Sequence, residues 1–239
     1  MGRAFEFRKE RKMKRWAGMA RAFTRIGREI AIAVKEGGGN PDYNPRLRMA
    51  ISNAKAANMP KANVESAIKK ATEKDSASYD EIVYEGYGPH GVAILVETAT
   101  DNGTRTVANV RHAFSKNGGA LGTNGSVDYM FKRVGQFKVA EAGQDLEELE
   151  LELIDAGLEE IHKDDEGHLV LQCAFADFGS LAAALEQRQM EVISSELVRL
   201  PQHTKQLTDA QTDEVIKLID KLEEDEDVVN VFHTMDEGG

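Results

Sequence analysis

A chain of 239 residues, 41% of them hydrophobic and 30% charged, is long enough to bury a sizeable core in one to three domains. It contains no run of about 18 apolar residues, which excludes a membrane-spanning helix, and its single cysteine, Cys173, excludes an internal disulfide and fits a reducing compartment. The net charge of −11 conceals a division, since residues 1–74 hold 18 Lys and Arg against 7 Asp and Glu, whereas residues 75–239 hold 12 against 34.

The division bears on partners. A cationic first third attracts a polyanion, and an acidic remainder repels one and keeps the protein soluble. The opening stretch, MGRAFEFRKERKMKR, lacks the apolar core of a signal peptide, and Glu6 and Glu10 argue against an organelle leader, so it reads as a basic arm on a cytoplasmic protein. Within it Arg8, Lys9, Arg11, Lys12, Lys14 and Arg15 are followed at once by Trp16 and preceded by Phe5 and Phe7. Cations hold phosphates and aromatic rings stack on unpaired bases, so this interleaving suits a nucleic acid. Trp16 is also the natural staple for the bundle, and a place in its core outweighs stacking.

From Met19 the apolar residues Phe23, Ile26, Ile30 and Ala33 recur at steps of four and three, predicting an amphipathic helix to about Val34. Arg21, Arg25, Arg28 and Lys35 follow the same spacing on another face. Gly37, Gly38 and Gly39 end this helix. Pro41 and Pro45 then forbid helix until Asn44 acts as N-cap with Pro45 at the first helical position, and a second helix runs from Arg46 to about Ala57. Asn58, Met59 and Pro60 stop it, and Lys61 begins a third. Leu47, Ile51 and Ala54, then Val64, Ile68 and Ala71, make the buried stripes, leaving Arg46, Arg48, Lys55, Lys61, Lys69 and Lys70 outside.

Residues 72–81 are polar and without period, and read as a linker. Gly91 to Asp101 is a buried strand, a helix capped by Thr104 and closed by Gly118 and Gly119 follows, and Ser126 to Val134 is a second strand. After Gly135 the order is strand, helix, strand, strand, helix, strand, that of a ferredoxin-like unit. The last helix, Asp209 to Leu222, and last strand, Val228 to His233, supply what the earlier strand-helix-strand piece lacks. The expected architecture is therefore a multidomain α+β fold: a basic three-helix bundle over residues 1–76, then two ferredoxin-like α/β domains. One is discontinuous over 77–134 and 205–239, and the other, 135–204, is inserted in it.

Other motifs carry less. GYGPHG (Gly86 to Gly91) has dinucleotide-binding spacing but precedes a strand, whereas that fingerprint must open a helix. Six scattered histidines and one cysteine make no zinc site, and the loop at Asp164, Asp165, Glu166 and Gly167 is too short for calcium and reads as a hairpin turn. The run Glu223 to Asp227 is a solvated acidic knob or a protein contact. No nucleophile with an adjacent base can be assembled, so no enzyme, cofactor, metal or small-molecule substrate is expected.

Three stretches carry a resemblance: FTRIGREIAIAVKEGGGNPDYNPRLRMAISNAKAANMPKANVESAIKKAT (Phe23 to Thr72), YEGYGPHGVAILVETATDNGTRT (Tyr84 to Thr106) and FSKNGGALGTNGSVDYMF (Phe114 to Phe131). In these the chain resembles the YebC/PmpR family of probable transcriptional regulators, which includes the mitochondrial translational activator of cytochrome oxidase. That resemblance implies one helical and two α/β domains, a cytoplasmic location, DNA binding and regulation of transcription. Other members look like translation factors acting on stalled ribosomes, so the alternative partner is ribosomal RNA. The opening departs from the family's Gly-His-Ser-Lys-Trp, keeping only basic and aromatic character at Lys14, Arg15 and Trp16. The candidate phosphate contacts are Arg8, Lys9, Arg11, Lys12, Lys14, Arg15, Arg21, Arg25, Arg28, Arg46, Arg48, Lys55, Lys61, Lys69 and Lys70. A third possibility is a protein scaffold working through the acidic domains.

Overall fold

The structure, a computed structural model, describes residues 3–73, 76–141, 143, 145–164 and 166–236, with side chains from residue 19 onward. Helix α1 (Arg3–Gly37) starts sixteen residues before the expected helix at Met19. The stretch read as a basic arm is rich in Arg, Lys, Glu, Ala and Met, all good helix formers, and no proline interrupts it, so α1 is a rod about 52 Å long. Its residues Ile26, Ile30, Ala33 and Val34 pack on Leu47, Ala50 and Ala54 of α2 (Pro45–Ala56) and on Val64 and Ala71 of α3 (Lys61–Thr72). Asn44 caps α2 as expected, accepting from the Leu47 N–H at 3.0 Å.

The first sheet joins β1 (Asp80–Tyr87), β2 (Ala93–Thr100), β3 (Ala120–Leu121) and β8 (Val228–His233) in the order β3-β1-β2-β8, antiparallel throughout. Helices α4 (Gly103–Lys116) and α7 (Asp209–Glu223) cover one face, where Ile94, Val96, Val110, Phe114, Val215 and Leu218 form the core. β1 lies in and just after the stretch read as linker, and it pairs with β2 from Asp80↔Thr100 to Tyr87↔Ala93. Its hairpin gives this sheet the element order β-β-α-β-α-β, so the ferredoxin-like connectivity expected for both sheets is absent here.

The second sheet has that connectivity. β4 (Phe131–Val139), β5 (Leu158–Lys163), β6 (Leu169–Ala174) and β7 (Val192–Pro201) lie in the antiparallel order β5-β6-β4-β7 and pack against α5 (Leu146–Ile154) and α6 (Phe178–Gln187). The strands expected on either side of Gly135 are one continuous β4, entered through a 3-10 turn at Asp128–Met130. Phe131 at its start packs with Val127 against Ala93 and Leu95 on the other face of β2, joining the sheets.

The helical unit is fastened to both sheets. β7 is an edge strand, and an open edge invites pairing with other chains. Here α2 covers it: Asn53 Nδ2 donates to the Ser195 carbonyl at 2.9 Å, and the Ser195 N–H donates to Asn53 Oδ1 at 3.1 Å. At Ser195 the side-chain amide thus makes the pair of hydrogen bonds that a further strand would supply.

Candidate nucleic-acid interface

The cations of the helical unit divide by what they touch. Arg25, Arg28 and Arg46, expected to face phosphate, face the rest of the molecule. Arg25 Nη2 donates to the Glu223 carbonyl at 2.9 Å at the end of α7, and burial lowers its pKa. Arg28 is clamped harder, since its Nη1 donates to the Ala99 carbonyl and to Asp227 Oδ1, both at 2.7 Å, and its guanidinium lies 5.3 Å from the Tyr79 ring centroid. Arg46 forms an exposed ion-pair bridge, with Glu36 at 2.8 Å and Glu81 at 2.6 Å. Two members of the arginine stripe, Arg25 and Arg28, therefore dock α1 on the acidic body. Planar guanidinium groups bond carboxylates and carbonyls in fixed directions, which suits them to that role.

Asp227 is the socket for Arg28. It is 2% exposed and also accepts from Arg105, at 2.8 Å, and from the Thr100 and Thr106 hydroxyls, at 3.1 and 2.7 Å. Burial pushes its pKa up, but the hydrogen bonds from Arg105, Thr106, Arg28 and Thr100 outweigh that and hold it at about 2. The run Glu223 to Asp227, read as a solvated knob or a contact, is thus an intramolecular contact at Asp227 and at the Glu223 carbonyl.

The lysines behave differently. Lys35, Lys55, Lys69 and Lys70 are exposed and form no ion pair among the described residues, and Lys61 meets only Glu65, at 3.7 Å with its side chain 89% exposed. Arg48 is exposed too, with its Nη1 resting on the Pro41 and Asp42 carbonyls at 2.8 and 3.0 Å. Arg21 is half-buried near Arg25 and Glu224. Arg8, Lys9, Arg11, Lys12, Lys14 and Arg15 lie on the first turns of α1, and their side chains, like that of Trp16, are outside the described residues. Sequence reasoning missed Tyr43, an exposed ring in the turn between α1 and α2 that follows the Pro41 and Asp42 carbonyls held by Arg48. Its one signal was an aromatic residue inside a turn.

Elsewhere the sites are poor in chemistry. Asp164, Glu166 and His168 come together on the β5–β6 turn, but Lys138 already bridges the two carboxylates at 2.7 and 2.6 Å and supplies the positive charge a metal would bring. The GYGPHG turn borders a cavity of about 420 Å³ lined by Pro89, His90, Asn117, Gly118, Glu214 and Lys217. Asn117 is the C-cap of α4, so that helix turns its carbonyl end toward the cavity, the wrong polarity for a pyrophosphate. Cys173 is buried, and burial raises its thiol to about 11, which leaves it inert. Among the described residues no helix is long and apolar enough to cross a membrane.

Fold and surface together define a three-part α+β protein in which a basic helical unit is docked through arginines on an acidic pair of sheets. Known proteins show the same division. Residues 3–74 match the TACO1/YebC protein N-terminal domain, and residues 79–235 match the TACO1/YebC second and third domain. A "probable transcriptional regulatory protein" of Flavobacterium johnsoniae is 60% identical over 237 residues, covering 99% of this chain and all of that protein. A protein of the same name from Parabacteroides distasonis is 56% identical, covering 99% and 98% of the two. The crystal structure of a conserved hypothetical protein from Aquifex aeolicus superposes with a TM-score of 0.78 at 37% identity, covering 91% of this chain and 90% of that one. The chain belongs to the TACO1/YebC family.

Proposed function

We propose that this protein is a non-enzymatic, cytoplasmic regulator of gene expression that binds DNA through its helical unit. The observation that supports this best is the separation of its cations. The arginines that meet the body are held by it, while Lys35, Lys55, Lys61, Lys69 and Lys70 remain in solvent on the same unit. Lysine is a mobile point charge, suited to a phosphate backbone and poor at reading base edges, so binding has little sequence preference. The names of the relatives, probable transcriptional regulatory proteins, point the same way. The phosphate contacts proposed are those lysines, Arg21, Arg48 and the basic residues Arg8, Lys9, Arg11, Lys12, Lys14 and Arg15.

The test is duplex binding as salt is raised. Several phosphate contacts make the logarithm of the affinity fall with the logarithm of salt by about 0.9 per phosphate neutralised, and a flat dependence would contradict the proposal. Sedimentation of a cell extract at mild salt separates the targets: migration with ribosomal subunits would move the partner from DNA to ribosomal RNA.

A further inference from the structure

Tyr43 is 84% exposed, more than any other large hydrophobic side chain among the described residues. An aromatic ring on a loose loop would mean little, but this loop is tied down. Asn44, 3% exposed, donates from Nδ2 to the Ala33 and Gly38 carbonyls at 2.7 and 2.8 Å and accepts from the Leu47 N–H through Oδ1. The Asp42 N–H donates to Asn40 Oδ1 at 3.0 Å, and Arg48 holds the carbonyls of Pro41 and Asp42. Gly37 and Gly39 bring the loop close to its neighbours: a Cβ on Gly37 would lie 2.7 Å from Asn44, and one on Gly39 would lie 3.0 Å from Thr72. The contact with Thr72 sets the loop against the last turn of α3, where Lys69 and Lys70 are exposed.

We propose that Tyr43 is a stacking platform for one unpaired base of a nucleic-acid strand, with Arg48, Lys69 and Lys70 holding the phosphates on either side. This rests on the nucleic-acid reading above and adds a preference within it, for single-stranded over fully paired segments. A positively charged path with an open aromatic face is what binding of a single strand requires. Lysines in the last turns of α1 and α3 also complement the helix dipoles, which would explain Lys35, Lys69 and Lys70 without any ligand. It would not explain an exposed ring on a fastened loop.

The experiment is a fluorescence anisotropy titration of the full chain and of Tyr43→Ala, Tyr43→Phe and Tyr43→Trp. The probes are labelled strands of about 12 nucleotides in deoxy and ribo form, the same deoxy strand paired as a duplex, and an abasic strand of equal length. Tyr43→Ala should bind the deoxy or ribo single strand about tenfold more weakly than wild type, and Tyr43→Phe and Tyr43→Trp should stay close to wild type. Wild type and Tyr43→Ala should bind the abasic strand alike, and the better of the deoxy and ribo strands identifies the sugar. If wild type binds nucleic acid and Tyr43→Ala binds the single strands equally well, the stacking role is overturned while the nucleic-acid reading stands. If wild type binds none of the probes, both are overturned.

Discussion

Arg28 on α1 donates at 2.7 Å to Asp227, 199 residues further along the chain, and so ties the helical unit to the first sheet. Breaking a largely buried pair by removing one partner leaves the other charge uncompensated, at a cost of about 3–5 kcal/mol. Asp227→Asn should therefore lower stability by about that amount in urea unfolding at neutral pH. The pH dependence has a definite sign. Because the folded carboxyl lies at about 2, below its unfolded value, Asp227 contributes stability above about pH 4 that is lost as pH falls toward 2. The variant should show a shallower acid limb, and an unchanged acid limb would refute the assignment.

Glu29, on the same helix, behaves oppositely. Burial and the negative charge of Glu196 raise its pKa to about 7, with Glu81 adding and Arg46 and Arg25 opposing. The folded state then holds a proton that the unfolded state has released, so stability falls as pH rises from about 4 to 7 and is level beyond. Glu29→Gln should match wild type near pH 4 and exceed it at pH 8 by on the order of 2–3 kcal/mol. Parallel stability profiles for the two proteins would rule this out.

Glu85 organises the turn leading into β4. It is 6% exposed and accepts from the N–H groups of Gly125, Val127 and Asp128 at 2.6, 2.7 and 2.9 Å. Burial alone would raise its pKa, but those bonds and the nearby Arg199 lower it. Glu85→Gln turns an amide donor toward backbone donors and orphans at least one of them, costing about 1–3 kcal/mol. Amide hydrogen exchange at Gly125, Val127 and Asp128 should quicken locally, and protection equal to wild type would show that the carboxylate does not hold the turn.

What could be seen in the sequence depended on how local its cause was. α2 and α3 are legible because Asn44, Pro45 and Pro60 punctuate them, and the second sheet is legible because its elements follow one another without interruption. β1 is not, because Glu81, Glu85 and Gly86 break its apolar alternation and its justification is its partner β2. The spacing of Arg21, Arg25 and Arg28 reveals a shared helix face but not what lies opposite. The socket of Arg25 and Arg28, at Glu223 and Asp227, belongs to a run that looks solvated in sequence and becomes a contact only when α7 and β8 bring it against α1. Tyr43 looks like any residue of a proline-rich turn until its exposure and the fastening of its loop are known.

The most direct measurement compares duplex DNA binding across a salt series for wild type and a variant carrying Lys55→Gln, Lys61→Gln, Lys69→Gln and Lys70→Gln. These side chains are exposed and outside the core, so the fold should be kept. If they bind phosphates, the variant binds more weakly at low salt, and its log–log slope is shallower by about 0.9 for each phosphate it no longer neutralises. Equal affinity and equal slope for the two proteins would contradict a cationic grip on this face.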